Sequence, residues 1–375
     1  MKKKVFISVI NDLVSDQRVH RTAVTLSAAG YAVELIGRRF PASADFKMPG
    51  INIRRFRLFF NKGFPFYASF NIRLFFYLLF RSDVALLLSI DLDTLPANFL
   101  VSKIRGIKLM YDSHEYFTEV PELNGRNFVK RFWLTLEKMM VPHVDAAYSV
   151  NESLAKMYSA KYGIEFGVIR NVPSGEIEEE DFVLPPEFAG TDFIIYQGAV
   201  NKDRGLEELI DIIADQRDIR LVIAGDGDVL KSLKQKVDFL DLSGNVYFTG
   251  KIPPSRLKNL TRQAKLGVSL EKKSNLNYYY SLPNKIFDYI QAGIPVLCSG
   301  FPEMKEIIRI YGTGRTVDPG NKEEIRSELI KMLWDEESRA EWIKNTESAR
   351  KKLSWDVEQK KLGSIYEKVG IRLDF

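Results

Sequence analysis

The chain has 375 residues, 45% of them hydrophobic, with a formal net charge of +5. That length holds more than one hydrophobic core, so two domains are expected. One cysteine, Cys298 inside an apolar run, excludes a disulfide framework and a cysteine metal cluster, and His20, His114 and His143 lack the close spacing of a histidine metal site.

The chain opens MKKKVFISVIND, an apolar run too short and too soon interrupted for a secretory signal core, so a cytoplasmic location is expected. Residues 4–10 read as a strand. The next segment carries Val19, Ala23 and Leu26 at helical spacing, stops at Gly30 and resumes as a strand over 32–36. This β-α-β opening implies a parallel sheet with right-handed crossovers. Further apolar strands are expected at 84–90, 107–111, 146–150 and 166–169. The first is followed by a polar turn, DLDT, with a helix from Leu95, and the second ends in Asp112-Ser113-His114-Glu115. Between these elements, residues 46–82 hold seven basic side chains, twelve aromatic ones and no acid. The longest apolar run there, 74–80, is far short of the ~20 residues that cross a bilayer. The stretch fits either a membrane interface, with Arg and Lys toward anionic headgroups, or a core helix with a basic rim.

Residues 173–187 are acidic, contain proline and lack periodicity, as in a linker. A second α/β series follows, with strands at 193–196, 220–224, 246–249 and 266–270, and then SLPNKIFDYIQAGIPVLCS over 281–299. Here Ser281 reads as an N-cap, Pro283 suits the first turn, Gly293 stops the helix, and 294–297 form a buried strand. No residue-level repeat links the halves. The resulting expectation is an α/β chain of two doubly wound Rossmann-like domains, 1–172 and 188–354, with a last helix over 355–375 returning to the first.

In such sheets, ligands bind beyond the strand ends. Three strand-end turns of the second domain gather there: Gly198 to Gly205 with Lys202 and Arg204, then Gly225-Asp226-Gly227, then the helix start with Asn284 and Lys285. Free N–H groups and three cations on one edge suit a diphosphate. Asp288, one turn after Asn284, suits a ribose behind it. The same Lys-Asp spacing also occurs on plain solvated helix faces. Two Asp-x-Asp triplets, Asp91-Leu92-Asp93 and Asp226-Gly227-Asp228, have the form of a Mg²⁺ or Mn²⁺ ligand pair. Each follows an apolar strand and is read as turn chemistry.

The segments DQRVHRTAVTLSAAGYAVELIG, LSIDLDTLPA, YDSHEY, VIRNVP, YQGAVNKDRGLEELI, LVIAGDGD, LPNKIFDYIQAGIPVL and LSWDVEQKKLGSIY, in this order, resemble the retaining nucleotide-sugar glycosyltransferases of family 4. The resemblance spans almost the whole chain. It implies the GT-B fold, two Rossmann-like domains facing across a cleft, and transfer of a sugar from a nucleotide diphosphate. The acceptor it implies is lipid-linked or a polysaccharide. Neither a metal, an organic cofactor nor nucleic acid is expected; the nucleotide sugar is a co-substrate.

By the same resemblance, Arg204 neutralises the donor diphosphate, with Gly198, Lys202, Gly225, Asn284 and Lys285 around it. Asp288, the second acid of the family's E-x7-E motif, holds the ribose, and the backbone of Ile252 meets the base. His114 faces the donor sugar and its phosphate as the catalytic residue, and Arg18 and Glu115 lie on the acceptor side. The sequence departs from the family at Tyr280, which replaces the first acid, and at Ala199, where many members carry Arg. Glu271 is the nearest upstream acid, at the wrong spacing to replace it. Two other readings stay open here: a catalytically silent nucleotide-sugar-binding partner and a GT-B-fold epimerase.

Overall fold

A computed structural model describes residues 2–174 and 180–373, so positions 175–179 of the expected linker lie outside the described residues. The chain divides into two compact units, Met1–Asn171 with Asp356–Phe375, and Val172–Trp355. The remainder of the linker stretch packs onto the second unit: Phe182 donates its N–H to Asn259 Oδ1 at 3.1 Å and Leu184 is buried.

Unit 1 holds seven parallel strands: β1 (Lys4–Ser8), β2 (Ala32–Arg39), β3 (Asn52–Arg57), β4 (Val84–Ile90), β5 (Lys108–Ser113), β6 (Ala146–Ser149) and β7 (Phe166–Val168). Their spatial order is β3-β2-β1-β4-β5-β6-β7. The chain starts in mid-sheet, steps to one edge, then returns and steps to the other. The β1/β4 junction is therefore a topological switch point, where open α/β sheets bind ligands. Helices α1 (Gln17–Ala28), α2 (Gly63–Leu79), α3 (Asp91–Arg105), α4 (Asn127–Met140) and α5 (Glu152–Tyr162) make the crossovers.

Unit 2 repeats the plan. Strands β8 (Ile194–Gln197), β9 (Leu221–Ala224), β10 (Val246–Gly250), β11 (Leu266–Ser269), β12 (Val296–Ser299) and β13 (Gly314–Val317) lie in the order β10-β9-β8-β11-β12-β13, with the switch at β8/β11. Its helices are α6 (Leu206–Asp215), α7 (Leu230–Phe239), α8 (Pro254–Gln263), the short α9 (Leu276–Tyr279), α10 (Asn284–Ala292), α11 (Pro302–Tyr311), α12 (Lys322–Trp334) and α13 (Glu336–Lys352). The last helix, α14 (Trp355–Glu367), belongs to unit 1 in all but its first residue. There it buries Leu362 and Tyr366, and Glu358 accepts the Arg170 N–H at 2.8 Å. The two parallel Rossmann-like sheets are the GT-B class expected from the sequence.

Four local readings change. The DLDT segment is the first turn of α3 and not a free turn, because Asp91 enters the helix directly from β4 at φ 54. Strand β5 runs on through Asp112 and Ser113, which pair with Tyr148 and Ser149 of β6. Helix α10 is capped at Pro283, since the Ser281 hydroxyl instead donates to the Tyr278 carbonyl at 2.8 Å. Residues 46–82 contain the unexpected strand β3 and the helix α2, a core helix with a basic rim having been one of the two readings of this stretch. One stripe of α2, Phe66, Phe70, Leu74 and Leu78, enters the core, while Phe64, Ile72, Phe76 and Phe80, the last just past the helix end, stay exposed.

Candidate active site

At the strand ends of unit 1 the centre is Asp112, fully buried at the end of β5. Arg18, reaching over from α1, grips it with both arms of its fork, Nε to Oδ2 at 3.0 Å and NH2 to Oδ1 at 2.8 Å. The third arm donates to the Ile169 carbonyl at 2.6 Å. His114 completes the group, its Nε2 lying 3.0 Å from Asp112 Oδ2 while its backbone N–H donates to Asp91 Oδ1 at 2.8 Å. Burial raises the Asp112 carboxyl, but Arg18 and His114 outweigh it and hold it at about 2. Burial likewise lowers the imidazole, yet Asp112 and then Asp91 lift it to about 9, so His114 is a cation at neutral pH. Its side chain keeps 17% of its surface exposed, against 2% for Arg18.

Two acids beside this group were read as turn residues; Asp93 is buried and Asp91 half-buried. Burial pushes Asp91 up to about 7 and, with Asp91 as neighbour, drives Asp93 well above the carboxylate range. Asp93 Oδ1 has no hydrogen-bond partner. Asn71 of α2 bridges the Asp93 carbonyl at 2.7 Å and the Ala97 N–H at 3.1 Å, tying α2 to the start of α3. Glu115 is exposed, and its carbonyl accepts from Ser113 and Tyr158. Arg18 is turned inward and spends its donors on Asp112 and Ile169.

In unit 2 the centre is Glu271, two residues past β11 and also fully buried. Its Oε1 accepts from Lys285 Nζ at 2.9 Å and Arg204 NH1 at 3.2 Å, and Oε2 from the Ser269 hydroxyl at 2.8 Å. Burial opposes ionisation, but Lys285 and Arg204 hold the carboxyl at about 2. Arg204 lies 4.5 Å over the Tyr278 ring, and Lys285 lies 4.1 Å from the Tyr196 ring centroid. The Arg204 Nε is buried and unpartnered. Gly198, at φ 123, holds a backbone conformation that side chains rarely adopt, and a Cβ there would lie in van der Waals contact with the Lys285 stem. Gly225, at φ 153, packs against the Gly198 carbonyl so closely that any side chain would collide.

Asp288 sits one turn along α10 from Lys285. Gln197 holds it from the end of β8, Nε2 to Oδ2 at 2.8 Å, and Thr261 fixes the Gln197 carbonyl oxygen at 2.7 Å. Lys202 is exposed, its N–H donating to Asp228 Oδ1 at 3.3 Å, while Asp226 Oδ1 takes the Gly227 N–H at 2.8 Å. The second Asp-x-Asp triplet thus does turn chemistry. Asn284 is the exposed first residue of α10, and Ile252 follows β10, half-buried.

Two buried ion clusters at the switch edges of two Rossmann-like sheets suit binding and transfer of a charged group. Models of known families match the chain nearly end to end, "Glycosyltransferase Family 4" over residues 16–175 and "Glycosyl transferases group 1" over 178–349. The chain belongs to the family 4, group 1 glycosyltransferases. One relative is the alpha-monoglucosyldiacylglycerol synthase of Streptococcus pneumoniae, 30% identical over 100 residues. That match takes in 26% of this chain and 21% of the relative's length. Among solved structures, the sucrose-phosphate synthase of Thermosynechococcus elongatus superposes with a TM-score of 0.82 at 16% identity, covering 98% of this chain and 99% of that one. HepE of Anabaena, solved with UDP-glucose, gives 0.71 at 15% identity, over 97% and 99%.

For this glycosyltransferase, reading the sequence alone passed over Glu271 as a site residue because its spacing in the chain does not match the paired-acid motif. In space it is the one carboxylate on which Arg204 and Lys285 converge. The available signal was its position, an acid at the end of a largely apolar run. Asp112 carried the same signal. Gln197 carried none, since its role as the partner of Asp288 emerges only once β8 and α10 lie side by side.

Proposed function

We propose that the chain transfers a sugar, with retention, from a nucleoside diphosphate donor held by unit 2 to a lipid-linked or cell-surface saccharide acceptor served by unit 1. The observation that carries this reading is the convergence of Arg204 and Lys285, distant in sequence, on one buried point at the strand ends, with an Arg204 Nε–H left over. As the bond from the anomeric carbon to the diphosphate oxygen breaks, negative charge grows on the diphosphate. Preplaced cations stabilise that charge more than they stabilise the ground state. Asp288, held by Gln197, accepts from the ribose hydroxyls, and Ile252 offers its backbone to the base. His114, cationic and partly exposed, donates toward the donor sugar and its phosphate. Asp112, fixed in place by Arg18, positions it and keeps it charged.

The protein works peripherally at the inner membrane face through residues 46–82. Support comes from the exposed Phe59, Phe60, Phe64, Phe76 and Phe80 among the arginines of β3 and α2. No described helix is long and apolar enough to cross a membrane. UDP-glucose is the first donor to test, given the molecule bound in HepE. Incubation with UDP-, GDP- and ADP-sugars should release one nucleoside diphosphate, with release lost in Arg204→Ala. Binding of a donor without release, in the presence of membrane extract as acceptor, would instead mark a silent nucleotide-sugar-binding partner.

A further inference from the structure

On the flank of unit 1, where the edge strand β3 meets the C-terminal half of α2, a groove of about 660 Å³ is lined by Arg54, Arg55, Arg57, Arg73 and Arg81. Phe76 and Phe80 stand at its rim, 56% and 79% exposed. Among the described residues, Glu34 is the one carboxylate paired with any of the five arginines. It faces Arg54 at 3.9 Å and accepts from the Tyr77 hydroxyl. The other arginines are held by groups without charge. Arg81 stacks 3.8 Å over the Tyr77 ring with its Nε unpartnered, Arg73 donates to the Arg57 carbonyl, and Arg55 donates to the Ala44 carbonyl at 2.9 Å. Among the described residues, no ion pair is formed by the Arg57 guanidinium.

Like charges lining one groove repel, by about 1 kcal/mol per pair at 4 Å in water and less as the separation grows. A cluster of five held against one acid therefore wants an anion. Guanidinium forks match the oxygens of a phosphate two at a time, which a scattering of lysines does not. The rim selects the source of that phosphate: two exposed phenylalanines beside the forks suit acyl chains next to a headgroup and have no use for a free ion.

We infer that this groove seats the phosphate-bearing headgroup of an anionic lipid. It is a discrete site, apart from the donor cluster and from His114, and more than a diffuse basic surface. The inference rests on the membrane reading of residues 46–82 and adds to it a defined stoichiometry and a headgroup preference.

Vesicles of phosphatidylcholine carrying phosphatidic acid, or phosphatidylglycerol at matched surface charge, test it on the full chain. Wild type should bind both and prefer phosphatidic acid, whose phosphomonoester offers more oxygens to the forks. R57Q/R73Q/R81Q should weaken binding to phosphatidic acid vesicles by roughly a hundredfold, at about 1 kcal/mol per arginine. R57K/R73K/R81K, which keeps charge and discards the fork, should bind both vesicles alike. Release of nucleoside diphosphate in the absence of vesicles should match wild type in all variants and shows that they are folded. A control with R131Q/K138Q on α4 should bind nearly as wild type. If that control loses as much as the groove variant, or if the lysine variant keeps the preference, the discrete site is overturned while membrane binding stands. If wild type ignores both vesicles at low salt, the membrane reading falls and the groove with it. If inorganic phosphate at micromolar concentration displaces the protein from vesicles, the groove holds a free anion and the lipid assignment is wrong.

Discussion

Each unit buries one carboxylate at its switch edge, holds it at about 2, and sets two cations against it: Arg18 and His114 on Asp112, Arg204 and Lys285 on Glu271. The resemblance ends at the cations. Arg18 is sealed, with its donors spent inside the protein, and its effect is to fix Asp112, which in turn orients a third group, His114, and keeps it charged against the opposing field of Arg18 itself. Arg204 is 20% exposed and retains an unused N–H, so its cluster can exchange part of an internal counter-ion for an external one. A buried ion pair is a poor source of net stability but a precise holder of position. On the proposed reading, unit 1 uses it to set a protonation state, and unit 2 uses it to hold cations ready for an anion.

Breaking the two clusters should therefore have unlike effects. Asp112→Asn leaves Arg18 buried without its counter-ion and should cost about 3–5 kcal/mol of unit 1 stability, read from hydrogen exchange in β5 and α1. It should also drop the His114 pKa from about 9 to below its usual value, since burial then acts against a weaker partner. Unchanged exchange in β5 would mean that the Arg18 pairing is not structural.

Alkaline pH sharpens the contrast. The folded pKa of His114 is raised, so its contribution is full below about 6.5 and is lost as pH rises through about 9, at most roughly 3 kcal/mol by linkage. Asp91, raised to about 7, adds an earlier loss in the same direction, from about pH 4 up through about 7, as the half-buried acid ionises. Unit 1 peptides should lose exchange protection between pH 7 and 10 while those around Glu271 keep theirs. Equal loss in both units would contradict the assignment of charge to His114.

Smaller effects are expected in unit 2. Asp288→Asn should weaken nucleoside diphosphate binding by roughly 1.5 kcal/mol, and a 2′,3′-dideoxy ligand should bind wild type and variant alike. A dideoxy ligand that still distinguishes them would move Asp288 away from the ribose. Glu271→Gln should cost about 1 kcal/mol in stability and leave UDP binding at low salt slightly tighter, because two cations lose a competitor. Weaker binding would show that Glu271 positions the cations more than it competes for them.

The legible and illegible parts divide along physical lines. Apolar runs alternating with helical periods announced both parallel sheets, because strands buried on two faces must be continuously apolar. Cations at strand ends were legible for the same reason, since little else explains Lys or Arg beside such runs. Glu271 and Gln197 were not, because their roles depend on which strand lies next to which, and that is fixed by topology and not by spacing. Asp91 was misread as loop because a non-glycine residue at φ 54 starting a helix has no signature in a single sequence. Strand β3 went unread, and helix α2 stood only as one of two readings, because aromatic residues cover both buried and exposed faces, which erases the period.

The central claim, that unit 2 holds a nucleoside diphosphate on Arg204 and Lys285, is tested most directly by calorimetric titration of UDP and of uridine into wild type and Arg204→Ala. The account predicts that the variant loses roughly 1.5–3 kcal/mol, about ten- to a hundredfold, for UDP, while uridine binding stays within a factor of about two. Equal losses for both ligands, or no loss for either, would contradict it.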